Sequence, residues 1–110
     1  MPTREIPREQ WRSFLDEFSR KHRGEKATVE VLDRERGDQT EATNMTFVGI
    51  SADQKAGENV IAVMVGDQPG RHEERLINKP AHVRVEEGRQ PAIEIEPSDG
   101  PKTLLRFEKG

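Results

Sequence analysis

His22, His72 and His82 are the imidazoles of this 110-residue chain, set among 21 acidic and 18 basic side chains. Zinc and iron centres draw such groups to one point through spacings such as HExxH on a helix or HxH on a strand. Neither spacing occurs here, and His72-Glu73-Glu74 follows a Pro-Gly turn, where polar residues are simply solvated. General acid–base chemistry needs a carboxylate in a cleft with a shifted pKa. Glu30, Glu94 and Glu96 instead alternate with Val29, Val31, Ile93 and Ile95, which turns the glutamates outward to solvent. Ser13, Ser19, Ser51 and Ser98 lack GxSxG or SxxK surroundings, and cysteine and tyrosine are absent. No GxGxxG or GxxxxGK[ST] phosphate loop occurs either. The sequence therefore assigns no catalytic residue, no metal ligand and no cofactor, and it predicts a protein that is not an enzyme.

One charged cluster stands out: Arg20, Lys21, His22 and Arg23, with Lys26 close behind. It reads as a candidate anion or partner patch, with weak, salt-sensitive RNA binding as its chemistry. Residues 1–26 hold seven basic and five acidic side chains, whereas the rest of the chain holds 11 basic and 16 acidic ones. That acidic balance opposes phosphate contact. Base stacking also needs exposed aromatics, and the aromatic residues here fall on apolar faces.

The patch sits at the end of the element that organises the chain. Trp11, Phe14, Leu15 and Phe18 lie at i, i+3, i+4 and i+7, one face of a helix predicted over 7–23. Pro7 suits the first turn and Gly24 suits the position just past the last. Strands follow over 27–33, 40–51, 59–66, 72–78, 81–87, 91–96 and 102–108. In the second of these the apolar phase changes at Phe47-Val48 and Gly49 follows, which predicts a bulge or sharp bend. Val60 to Val65 is apolar at every position, so this strand is expected to be covered on both faces and to floor the helix. Pro80 and the charges flanking Val83 and Val85 read as protection of a sheet edge.

Only 31% of residues are hydrophobic, so the core must be thin, with Trp11, Phe14, Phe18, Phe47 and Phe107 as its largest pieces. The fold class is α+β and the chain is one domain over 1–110. An amphipathic helix packs on a strongly bent antiparallel sheet of about six short strands, curled or closed into a partly open SH3/Sm-like small barrel. No cysteine, no apolar leader and no long apolar run place it in the cytoplasm.

The segments IPREQWRSFLDEFSRKHRG (6–24), VGISADQKAGENVIAVMVGD (48–67), ERLINKPAHVRVEE (74–87) and SDGPKTLLRF (98–107) resemble an uncharacterised bacterial family of short proteins, a domain of unknown function. The resemblance implies one compact domain in a bacterial cytoplasm and carries over no catalytic or binding residue. The helix-first order, with Ile77 and Pro80 in the segment 72–85, is similar in outline to Sm-like barrels, which form rings and bind RNA. The acidic balance and the missing nucleotide pocket depart from that pattern. A soluble interaction module, pairing with itself or with another protein, is the leading expectation; a weak RNA- or anion-binding barrel is the second, and an enzyme without a recognisable motif the third.

Overall fold

A computed structural model describes residues 3–55, 57–66, 72–88 and 90–108. The α-helix begins at Trp11, where its apolar stripe begins, and not at the predicted Pro7. Pro7, at φ −58° and ψ 144°, precedes a 3₁₀ turn over Arg8–Gln10, and the α-helix α1 spans Trp11–His22. No side chain caps either start, which matches the lack of Ser, Thr, Asp or Asn immediately ahead of Pro7. At the other end Gly24 takes φ +93°, a conformation that costs a glycine little, and its N–H donates to Phe47 O at 2.9 Å.

Eight strands follow or flank α1: β1 (Arg4–Glu5), β2 (Lys26–Asp33), β3 (Gly37–Lys55), β4 (Glu58–Val65), β5 (Glu73–Asn78), β6 (Pro80–Glu86), β7 (Ala92–Pro97) and β8 (Lys102–Glu108). They form one antiparallel sheet in the order β1-β6-β7-β8-β2-β3-β4-β5. β1 was not expected. Two residues pairing as Arg4↔Val85 and Glu5↔Arg84 carry no periodic signal, and they are positioned by the neighbouring Ile6 N–H, which donates to Val83 O at 2.8 Å.

β3 explains how one sheet encloses a core. Its first part pairs with β2 and its second with β4, and the register breaks between Phe47 and Gly49. This is the bend expected from the phase change. A second irregularity lies where Val29 pairs with Ala42, close to Asn44 at φ +55°. The gap left between the predicted strands 40–51 and 59–66 is largely strand as well: the β3–β4 ladder continues to Lys55↔Glu58, and Gly57 turns the chain at φ +80°. Residues 67–71, between the predicted strands 59–66 and 72–78, lie outside the described residues. A flat eight-stranded sheet would be about 35 Å wide and about 10 Å thick. The observed extents of 35 × 34 × 33 Å show that it curls on itself. It does not close, because β1 and β5 are the two ends of the order.

The buried side chains join into one cluster that includes Trp11, Leu15, Phe18, Phe47, Ile61, Val83, Ile95 and Phe107. The expectation that β4 is covered on both faces and floors the helix is corrected here. Ile61, Val63 and Val65 point inward, but Met64 is 40% exposed and Ala62 only partly covered. The helix rests on β3 instead. Ser19 fixes this contact: its buried hydroxyl accepts from Ile50 N–H at 2.9 Å and has Leu15 O and Ile50 O each at 2.8 Å. Buried polar groups left without such partners cost about 1–3 kcal/mol each, so one hydroxyl sets where α1 sits along β3.

Candidate functional site

The basic patch read from the sequence is taken apart by the fold. His22 is corrected out of it. Its ring is 4% exposed, stacked 4.5 Å from Phe18 and 4.8 Å from Phe107, with Nδ1 3.0 Å from Glu25 Oε1. The cause is spacing: Trp11, Leu15, Phe18 and His22 lie at i, i+4, i+7 and i+11, so His22 ends the apolar stripe. That signal was present in the sequence and was masked by the run of cations around it.

The other four residues scatter. Arg20 is exposed and lies 3.6 Å from Glu17 on its own helix. Lys21 is exposed. Arg23 Nε donates to Val48 O at 3.0 Å, and Lys26 Nζ donates to Thr46 Oγ1 at 2.9 Å, both on β3. A groove of about 960 Å³ runs beside α1, lined by Phe14, Phe18, Arg20, Lys21, Arg4 and Glu87 among others. Arg4 stands 5.5 Å from the Phe14 ring and 3.4 Å from Glu87. Acids and bases alternate around this groove, so it offers an anion no field of a single sign.

The outward glutamates also have partners. Glu30 Oε1 forms an ion pair with Arg106 Nε, 2.7 Å away, across β2 and β8. Arg84 Nη1 donates to Glu94 at 2.8 Å and to Glu96 at 2.7 Å, while Glu5 of β1 lies 2.7 Å from His82 Nδ1 and 3.6 Å from Arg84 Nε. These are cross-strand pairs of the kind that fix register. The hydrogen bond from His82, helped by the charges of His82 and Arg84, holds the Glu5 carboxyl below its ordinary value of 4.5. The hydrogen bond from Arg84 does the same for Glu96, and Glu96 in return raises the Arg84 guanidinium. A carboxylate with a depressed pKa stabilises the fold above its ordinary value and loses that contribution as pH falls through its folded value. Thermal melting should therefore shift downward as pH drops below about 4.5, and Glu96→Gln should flatten that shift. An equal shift in wild type and variant would show that Arg84 and Glu96 do not interact.

The remaining feature is an edge. β5 is hydrogen-bonded to β4 on one side and ends the sheet on the other. Its outer face carries Leu76, 44% exposed, opposite Ala62, and Met64 lies two pairs along, opposite Glu74. Among the described residues, Leu76 and Met64 are the large hydrophobics left exposed, and they are diagonal neighbours. The other end of the sheet is blunted: β1 partly covers β6, and Pro80 has no N–H to offer. Sequence reasoning took the Pro80–Val85 strand for a protected edge, whereas β6 lies next to last with β1 outside it, and the open edge at β5 went unread. Which strand ends a sheet depends on non-local pairing such as β2 with β8.

A model described as a family of unknown function (DUF5335) matches residues 2–110. The chain belongs to the DUF5335 family. It is also similar to an uncharacterised protein of Aquifex aeolicus (strain VF5), 31% identical over 110 residues that cover 98% of this chain and 94% of that protein. This agrees with the bacterial family that the motifs resemble. No solved structure matches the chain. No helix among the described residues of this DUF5335 member is long and apolar enough to cross a membrane.

Proposed function

We propose that the chain is a non-enzymatic cytoplasmic interaction module that engages protein through the free edge of β5. The observation that carries this reading is the coincidence of an edge strand with the exposed Leu76 and Met64. An open edge presents unpaired backbone donors and acceptors, and an added strand satisfies them while side-chain contacts supply selectivity. Two further facts favour binding over catalysis. Glu30, Glu94 and Glu96 are each paired with an arginine on a neighbouring strand, and the helix histidine is packed between phenylalanine rings. The cysteine-free composition suits a reducing compartment.

The test is a photo-crosslinking amino acid placed at position 76 of the full chain in native bacterial extract, with position 36 in the β2–β3 turn as control. Protein adducts from position 76 and none from position 36 are the expected result. Equal labelling from both positions rejects the edge as the interaction surface.

A further inference from the structure

We infer that the partner of the β5 edge is β5 of a second copy, paired antiparallel about a two-fold axis at Leu76. The inference rests on the reading of that edge as the interaction surface. A two-fold contact brings the same patch of both copies together, so the strand must complement itself. Glu73, Arg75 and Ile77 lie on the inner side of β5, opposite Val65, Val63 and Ile61, and Glu74, Leu76 and Asn78 lie on the outer side. A continuous two-sheet surface requires outer residues to meet outer residues, which leaves only registers centred on a residue.

Charge then selects among them, because like charges directly opposite are destabilising. Centring on Glu73 or Glu74 sets that glutamate against its own copy, and centring on Arg75 sets two guanidiniums face to face. Centring on Ile77 places Arg75 against the second copy's Lys79, and centring on Asn78 leaves only three residues paired. Centring on Leu76 avoids every such clash. It pairs Leu76 with Leu76, Arg75 with Ile77, Glu74 with Asn78 and Glu73 with Lys79, the last an opposite-charge pair at each end. The exposed Leu76 is covered by its own copy, and the outer stripe from Ala62 through Leu76 runs unbroken across the axis. A single six-residue edge makes a small interface, so the dimer is weak and concentration-dependent.

The chain contains no cysteine, so single cysteines report the register directly. Cα atoms of directly opposed antiparallel residues are about 4.5–5.5 Å apart, inside the range a disulfide spans. Leu76→Cys should cross-link to itself under mild oxidation. Glu74→Cys and Asn78→Cys should each stay single alone and cross-link when mixed. All three positions are exposed, so folding is not at stake. Sedimentation of the unmodified chain up to millimolar concentration should show a dimer, weakened several-fold by Lys79→Glu and restored by adding Glu73→Lys. Self-linking of Glu74→Cys, or linking of Glu74→Cys with Leu76→Cys, assigns another register and overturns the proposal. A chain that stays monomeric, with Leu76→Cys linking no faster than Arg36→Cys, overturns it as well. In that event adducts from position 76 in extract show that only self-pairing has failed, whereas their loss shows that the edge itself is not the surface.

Discussion

Trp11→Ala is expected to lower the unfolding free energy by about 3–5 kcal/mol, the range for truncating a buried tryptophan. Small domains hold about 5–15 kcal/mol in all, so this change alone removes a large share of the stability. The ring is 4% exposed and opens the inward face of α1. Its Nε1–H donates to Ile6 O at 2.9 Å, and the Arg8 guanidinium lies 4.5 Å from the ring centre. Ile6 in turn donates to Val83 O, so Trp11 joins the helix start to β6 at the far end of the sheet order. Truncation therefore creates a cavity and strands a buried carbonyl at the same place. Trp11→Phe keeps most of the volume and should cost only about 1–3 kcal/mol, the loss of the hydrogen bond. Trp11 is the chain's single tryptophan, so urea unfolding of both variants should be followed by circular dichroism rather than fluorescence. A loss under about 1 kcal/mol for Trp11→Ala would place the ring at the surface.

The helix and the bend in β3 are legible in the sequence because both leave local periodic marks. Trp11, Leu15 and Phe18 share one helical face, and the change of phase at Phe47 followed by Gly49 marks the register break. What covers the helix is not local. Val60 to Val65 looks like the best floor because it is apolar throughout, yet Ser19 and the bend at Gly49 bring α1 onto β3. At Gly49 an added Cβ would meet Ser19 Oγ at 3.7 Å, an ordinary van der Waals distance, so the space between helix and strand there is about one methyl group deep. The exposed Met64 is the residue that the all-apolar reading could not explain, and it becomes intelligible once β4 is seen beside an edge.

The scatter of the basic patch has a related cause. A cationic run at the end of a helix draws notice because its charges are adjacent in sequence. On a helix, adjacent residues point in different directions, so Arg20, Lys21, His22 and Arg23 end up in solvent, in the core and on β3. The β5 edge draws no notice because EERLIN is short and mostly polar. Its character appears only when the pairing order leaves it last. Its mix of two acids, one base and one exposed leucine can be read against a partner strand only once that order is known.

Phe47→Ala is the second change with a large expected effect, again about 3–5 kcal/mol. Phe47 is fully buried at the bend where β3 leaves the β2 ladder for the β4 ladder. Its ring meets Phe107 edge-on at 4.9 Å and 86°, and Phe18 at 6.3 Å and 82°. Edge-to-face pairs of this kind contribute about 0.5–1.5 kcal/mol beyond the area they bury. The backbone at the same residue holds the exit of α1, donating to Glu25 O at 2.8 Å and accepting from Gly24 N at 2.9 Å. Phe47→Leu should be milder, because it retains much of the volume and the backbone bonds. Phe47→Ala and Phe107→Ala share one contact, so the double variant should lose less than the two single losses added together. Additivity within about 0.5 kcal/mol would mean that the two rings do not touch. Because β5 lies two strands away from β3, Phe47→Leu should also leave the Leu76→Cys cross-link unchanged, which separates the stability of the core from the use of the edge.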